Sequence, residues 1–171
     1  MVPTKKDDQS SIYIAIGSNE GDPKEHLLQA RAFLTSISSS TPIFSKVYIT
    51  EPIGPSSTDF LNAVVKIESD STALELLKRL KEQEREQGRP SRYPKWTART
   101  LDLDIIDFKG LNSKQEALSL PHPELENRLF VLLPLFDVAP TWVHPVTHTP
   151  IQDLIKHAEK MRIETSAWQW E

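Results

Sequence analysis

Two aspartates, Asp102 and Asp104, stand one residue apart within the apolar run Leu-Asp-Leu-Asp-Ile. Successive side chains of a β-strand point to opposite faces, so both carboxylates face one way, about 6.5 Å apart at the backbone. Two unpaired carboxylates buried together would repel each other, and a divalent cation removes that conflict. Magnesium accepts one or two carboxylates together with water and phosphate oxygens, so the pair predicts a magnesium site. The spacing leaves open a solvent-facing acidic strand with ion pairs to Arg99 and Lys109.

A cluster of basic residues precedes the acidic pair: Arg89, Arg92, Lys95 and Arg99. The chain has five glycines and no Gly-X-X-X-X-Gly-Lys-Ser/Thr loop, so any bound phosphate would be held by side chains. Arginine contacts phosphate in a bidentate way that lysine cannot match. Arginines and magnesium converging on a polyphosphate would supply the electrostatic stabilisation that phosphoryl transfer needs. For the whole basic stretch 75–99, composition alone favours the alternative of a solvated helix face followed by a loop.

Aromatic, amide and imidazole side chains add candidates for a planar ligand. Trp96 lies in the basic loop, where it either anchors the loop or covers a planar group. Phe60 and Asn62 share one face of an alternating segment, which suits a heterocycle with polar edges, although a core Phe and a turn Asn are the structural alternative. His122, between two prolines, either contacts phosphate or stays exposed. Glu84 lies at the edge of a helical stripe, where a satisfied edge residue is the simpler interpretation.

The elements that must position these residues follow from periodicity and cap signals. Four segments have the pattern of strands: 12–16, 44–50, 60–68 and 100–108. Two segments have helical spacing: about 23–37, after the cap at Asp22, and from the capping box Thr72-Ala-Leu-Glu75 to Gly88. The apolar stretch 128–138 must be buried, although Pro134 is expected to prevent one straight helix, and Thr149-Pro150 starts a short last helix.

This order predicts a ferredoxin-like α+β fold, a mainly antiparallel sheet with helices packed on one face and extra C-terminal structure. The 171 residues fit one domain, residues 11–171, after a polar tail at residues 1–10.

The absence of cysteine excludes disulfides and Cys-based zinc sites. A net charge of -4 and the lack of an apolar run long enough for a membrane predict a cytoplasmic chain that binds neither nucleic acid nor membrane. A ferredoxin-like RNA-binding module is the alternative from another class, but its sheet would display two aspartates to the RNA backbone.

Taken together, the motifs resemble the 6-hydroxymethyl-7,8-dihydropterin pyrophosphokinase family of folate biosynthesis. The matching segments are spread over about residues 12–145: Tyr-Ile-Ala-Ile-Gly-Ser-Asn (13–19), Glu-Pro-Ile-Gly-Pro (51–55), Phe-Leu-Asn-Ala (60–63), Glu84 with Gly88-Arg89, Trp96, Arg-Thr-Leu-Asp-Leu-Asp-Ile (99–105), Leu-Pro-His-Pro (120–123) and Asn-Arg-Leu-Phe-Val-Leu-Leu-Pro-Leu (127–135). The set is far more specific than any one of its members.

The resemblance implies that pyrophosphate moves from ATP to the hydroxymethyl group of a reduced pterin in a monomeric enzyme, with release of AMP. Asp102 and Asp104 would bind two magnesium ions. The pterin would be bound by Thr50, Ile53, Phe60, Asn62, Asp102 and Phe130. ATP would be bound by Glu84, Arg89, Trp96, Arg99, Ile105, Ser119, His122 and Arg128. A mobile catalytic loop would carry Arg89, Arg92, Trp96 and Arg99. Another magnesium-dependent nucleotidyl or phosphoryl transferase is the alternative enzyme.

Four positions depart from the family pattern. Ser91 stands where members often carry a second arginine, and the adjacent Arg92 is the candidate substitute. Phe60 replaces a frequent tyrosine, which keeps the ring and loses a hydroxyl. Pro123 and Ala117 replace larger side chains near the nucleotide region. None of these differences removes an expected metal ligand.

Overall fold

The computed structural model describes residues 10–51, 58–88 and 101–171. Their helices and strands, in chain order, are β1 (Ile12–Ser18), α1 (Pro23–Ile37), β2 (Ile43–Phe44), β3 (Tyr48–Thr50), β4 (Phe60–Ile67), α2 (Ala73–Glu86), β5 (Asp102–Phe108), β6 (Ser113–Gln115), β7 (Leu118–Leu120), a 3-10 helix (Leu125–Asn127), α3 (Leu129–Val138), α4 (Ile151–His157) and β8 (Ile163–Thr165). No helix in these ranges is long and apolar enough to cross a bilayer.

The main sheet has the order β5-β1-β4-β3-β8, and β2 also pairs with β4. Each of these pairings is antiparallel. The order β5-β1-β4-β3 is that of a ferredoxin-like sheet, so the fold predicted from the element order is confirmed. The central position of β1 has a direct consequence for one glycine, because Gly17 pairs with Asn62 on one side and with Asp102 on the other.

Helices cover both faces of this sheet. Alternate residues of β1, including Ile14, pack with α1 and α2 in one buried cluster. The intervening residues, including Tyr13, pack with α3 and α4 in a second cluster. The two helices of the predicted ferredoxin-like core lie on one face as expected, and the C-terminal helices cover the other. Because helices cover both faces, β4 is more buried than the half-buried strand that its alternation predicts. Each large apolar side chain buried in this way stabilises the fold by roughly 1.5–3 kcal/mol.

Two segments differ from their predicted form. The predicted strand 44–50 is divided into β2 and β3 because the Ser45 hydroxyl replaces a backbone carbonyl as the acceptor for the Val64 N–H, at 2.8 Å. Pro134 is predicted to prevent one straight helix, and in the structure a single helix, α3, runs through Pro134. The proline leaves one backbone carbonyl without its helical donor, and the burial of the surrounding apolar side chains offsets that cost.

The last residues of the chain pack along the edge of the sheet at residues 44–47. The side-chain amide of Gln169 accepts a hydrogen bond from the Val47 N–H at 2.8 Å and donates to the Val47 carbonyl at 2.9 Å. It therefore contacts Val47 as a neighbouring strand would. Trp170 donates to the Ser45 carbonyl at 2.9 Å and packs edge-on against Phe44. The C-terminal segment is thus an integral part of the sheet.

Candidate active site

A cavity of about 330 Å³ opens on the sheet face that carries α3, at one end of β1, β4 and β5. This volume lies within the usual range for small-molecule sites. Residues from several elements line it, among them Gly17, Thr50, Glu51, Phe60, Asn62, Asp102, Asp104, His122, Glu124, Arg128 and Phe130. These residues are far apart in the chain, and the antiparallel registers of the three strands bring them together.

The acidic pair lies on the floor of this cavity, on the face predicted from strand parity. Leu101 and Leu103 point into the opposite core, while Asp102 and Asp104 line the cavity. Burial, followed by the charge of Asp102, raises the pKa of Asp104 from 3.8 to about 7. Two carboxylates in this position repel each other, so a divalent cation that binds both relieves the repulsion.

The donor set fits magnesium. Within the described ranges no group of three or more histidine, cysteine or acidic side chains gathers as a metal cluster. Asp102 and Asp104 offer carboxylate oxygens, and further ligands would come from water and from phosphate. That combination is the one magnesium uses when it binds together with a nucleotide.

A second wall of the cavity combines aromatic and amide groups. The Asn62 amide nitrogen donates a hydrogen bond to the Thr50 hydroxyl at 2.6 Å, which fixes the orientation of the Asn62 side chain. Phe60 lines the cavity from the same strand as Asn62, and Phe130 lines it from α3. A planar heterocycle would find ring faces and directed hydrogen-bonding groups here.

Gly17 leaves room for this arrangement. A Cβ atom at Gly17 would lie 3.0 Å from the side-chain oxygen Oδ1 of Asn62 and 4.0 Å from the Phe60 ring. The predicted strand 12–16 ends just before this glycine, whereas β1 continues through it to Ser18. An isolated glycine within a strand often marks a close approach of neighbouring groups, and that signal points to the site.

Basic groups face the cavity from the segment between β7 and α3. The Glu124 N–H donates to His122 Nδ1 at 3.2 Å, so a neutral His122 carries its proton on Nε2. Arg128 forms an ion pair with Glu124, and its guanidinium carbon lies 5.6 Å from the centroid of the Phe130 ring. Glu124 was not among the predicted site residues. Its ion pair with Arg128, four residues later, lies outside a regular α-helix, so the spacing of the two residues did not predict the contact.

Three predicted nucleotide-binding residues do not line the cavity. Glu84 is fully buried on α2, where it accepts a hydrogen bond from the Leu103 N–H at 3.1 Å and pairs with Lys81 at 3.2 Å. Ile105 belongs to the core on the opposite face of the sheet. Ser119 is exposed on β7 and donates to the Gln115 carbonyl.

The contact of Glu84 with β5 supports the strand that carries the acidic pair. Any contact of Glu84, Ile105 or Ser119 with ATP stays a prediction. Of the other predicted site residues, five fall outside the described ranges: Ile53, Arg89, Arg92, Trp96 and Arg99.

The fold and the cavity define a class: an α+β protein of ferredoxin-like topology whose sheet presents an acidic pair beside an aromatic and amide wall. The model of the family described as 7,8-dihydro-6-hydroxymethylpterin-pyrophosphokinase (HPPK) matches residues 13–140. The chain belongs to this family.

Relatives agree with this assignment, and a solved structure agrees with the fold. The chain is 40% identical over 148 residues to the Haemophilus influenzae 2-amino-4-hydroxy-6-hydroxymethyldihydropteridine pyrophosphokinase, covering 85% of this chain and 91% of that protein. It is 41% identical over 128 residues to the Bacillus subtilis protein of the same name, covering 74% and 76%. The fold is similar to that of wild-type Plasmodium falciparum HPPK-DHPS with a TM-score of 0.67 at 15% identity. That match covers 85% of this chain, which spans 44% of the length of the Plasmodium structure.

Proposed function

We propose that this chain transfers pyrophosphate from ATP to the hydroxymethyl group of 6-hydroxymethyl-7,8-dihydropterin and releases AMP. The observation that carries the proposal is the single cavity in which Asp102 and Asp104 lie beside Phe60, Asn62 and Phe130. One part of the cavity suits a cation bound to phosphate, and the other suits a pterin. A pyrophosphoryl transfer needs both groups within reach of each other.

In this reaction the substrate hydroxyl oxygen forms a bond to the β-phosphorus of ATP. The bond between that phosphorus and the oxygen bridging to the α-phosphate breaks, and AMP leaves with the bridging oxygen. The hydroxyl proton is released to solvent or to a phosphate oxygen. The chain's contribution is chiefly positioning and charge stabilisation, because little covalent chemistry is left for a side chain to perform.

On the pterin side, Phe60 and Phe130 would contact the two ring faces, and Asn62 would bind the polar edge. The hydrogen bond from Asn62 to Thr50 supports this role, because it orients the amide before the substrate arrives. An oriented amide binds with less loss of conformational entropy than a freely rotating one. Ile53 is part of the same proposal, although it lies outside the described ranges.

On the phosphate side, Asp102 and Asp104 would hold two magnesium ions. Bound magnesium would neutralise charge on the phosphate oxygens as it builds up. His122 and Arg128 line the same cavity and would contact phosphate through the protonated Nε2 and the guanidinium group. Arg89, Arg92, Trp96 and Arg99 are proposed to complete the site from the loop before β5. A cytoplasmic location, expected from the composition, and a monomeric state, expected from the family resemblance, are also part of the proposal.

The direct test is an HPLC assay of nucleotide products with ATP, magnesium and 6-hydroxymethyl-7,8-dihydropterin. AMP should form in equal amount with the pterin diphosphate, and only when both substrates and magnesium are present. Formation of ADP would identify a simple kinase, and release of free pyrophosphate would identify a nucleotidyltransferase. Asp104→Ala should lower turnover by several orders of magnitude, while Asp153→Ala, at an exposed position on α4, should leave turnover unchanged.

A further inference from the structure

One residue near the C-terminus, Arg162, contacts both chain segments next to the pterin side of the cavity. The Glu51 N–H donates to the Arg162 carbonyl at 3.3 Å, and the Arg162 N–H donates back to Glu51 Oε1 at 3.0 Å. The guanidinium Nη2 of Arg162 donates to Asp59 Oδ1 at 2.6 Å. Residues 52–57, between these two partners, lie outside the described ranges.

These contacts begin where the ladder between β3 and β4 ends. Thr50 and Phe60 are the last paired residues of the two strands, and both line the cavity. Glu51 and Asp59 are the next residues along each strand. Arg162 therefore joins the two strands one position beyond their last ladder pair, across the end of β8.

We propose that Arg162 is a positioning residue for the pterin side of the cavity. By joining Glu51 to Asp59, it holds the end of β3 against the end of β4 and keeps Thr50 and Phe60 in register. The inference rests on the proposed function, since it assigns Arg162 a role in binding the pterin rather than ATP. Nothing in the contacts of Arg162 involves the acidic pair on β5.

The ion pair between Arg162 and Asp59 is exposed, so its loss should affect the positioning of the pterin wall rather than the global stability of the fold. The Arg162 and Asp59 side chains are 58% and 41% exposed. Exposed ion pairs contribute little to folding, because water and salt screen them and their side chains lose entropy. The pair nevertheless lies next to Phe60 in the chain, so its loss should change the geometry of the binding wall more than the melting temperature.

The substitution Arg162→Ala isolates the guanidinium contact. The two hydrogen bonds with Glu51 use the backbone N–H and carbonyl of Arg162, and both are retained in an alanine variant. The variant should raise the KM for the pterin about 1.5- to 5-fold, the range expected for the coupling of an exposed ion pair. The kcat and the KM for ATP should stay unchanged.

The experiment is a double-mutant cycle on the pterin KM with Arg162→Ala, Asp59→Ala and the double variant. The two single variants should have the same effect, and the double variant should add nothing further. Arg162→Lys should restore part of the wild-type affinity, because the ammonium group keeps one donor to Asp59. High salt should bring the wild-type KM towards that of the variants. Arg79→Ala, exposed on α2 across the sheet, is the matched control and should change nothing.

Additive effects of the two single variants would overturn the inference, as would a pterin KM that Arg162→Ala leaves unchanged. A fall in melting temperature with no change in the KM would show a purely structural role and would overturn it as well. Failure of the proposed function is distinguishable, because the wild-type chain would then form no AMP. If the wild-type chain forms AMP and the cycle shows no coupling, only the assignment of Arg162 is wrong.

Discussion

The substitution Gly17→Ala adds one methyl group at the point where the pterin wall and the acidic pair meet. Gly17 pairs with Asn62 and with Asp102, and its added Cβ would lie 3.0 Å from the side-chain oxygen Oδ1 of Asn62. An ordinary contact begins at 3.4 Å, so the oxygen must retreat by about 0.4 Å (3.4 minus 3.0). Asn62 is held on its other side by a 2.6 Å hydrogen bond to Thr50, so the shift strains that bond.

The magnitude of this effect follows from two contributions. Overpacking a well-packed site costs about 1–3 kcal/mol, and a distorted neutral hydrogen bond costs up to about 1 kcal/mol. This strain is relieved by displacing the Asn62 amide, and a polar edge of the pterin that is then imperfectly paired should cost about 1–2 kcal/mol of binding. We therefore expect the pterin KM to rise about 5- to 30-fold, with the KM for ATP within about twofold of the wild-type value.

The assay measures AMP formation by HPLC at saturating ATP and magnesium while the pterin concentration is varied. Calorimetric titration of the pterin in the presence of a non-hydrolysable ATP analogue checks that the KM reports binding. Gly110→Ala is the control, since Gly110 has a φ of +75° and open space around its added Cβ. That variant should lose stability through backbone strain and keep both KM values. A pterin KM unchanged in Gly17→Ala would refute the reasoning, and an equal rise in both KM values would show that the methyl group acts through the sheet.

Three further predictions concern the charge pair, the second ring and the C-terminal segment. Because the pKa of Asp104 is raised from 3.8 to about 7, the folded state binds its proton more tightly, and metal-free protein should lose stability as pH rises from about 4 to about 7. Melting curves in EDTA should show a larger fall for the wild type than for Asp104→Asn, because buried Asp107, whose pKa is also raised, contributes to the fall in both. Equal falls in the two proteins would contradict the prediction. Phe130→Ala should raise the pterin KM about tenfold or more, as expected for a lost ring contact. A larger rise in the KM for ATP would show that Phe130 contacts the nucleotide rather than the pterin. Gln169→Ala removes the two hydrogen bonds to Val47 and should lower the melting temperature by roughly 4–8 °C without changing either KM. An unchanged melting temperature would show that these bonds are replaced by water.

The local patterns of the chain predicted the strands of the site well. The alternation in β4 and β5 correctly placed Phe60 with Asn62 and Asp102 with Asp104 on cavity-facing sides. The alternation is reliable here because the opposite face of each strand is a continuous apolar surface that must be buried, which leaves a single allowed orientation. The capping box at Thr72 was likewise confirmed in full, since both of its reciprocal hydrogen bonds are present.

Contacts between distant segments could not be predicted in the same way. Arg162 and Gln169 lie in a C-terminal segment without clear periodicity, and their partners Asp59 and Val47 are more than 100 residues away. The interruption between β2 and β3 depends on one hydroxyl of Ser45 reaching into the neighbouring strand. Such side-chain contacts depend on positions that only the packed sheet defines.

The sequence by itself predicted the residues that are proposed to carry the chemistry, the strand parity that groups them, and the family that the order of motifs resembles. The tertiary structure decided that two carboxylates on β5, an amide on β4 and a ring on α3 share one cavity. It also decided that Gly17 must be small, because β1 lies between β4 and β5 and brings Gly17 against Asn62. Strand parity is a local property of the backbone, whereas the order and register of strands are set by the packing of two cores on either side of the sheet.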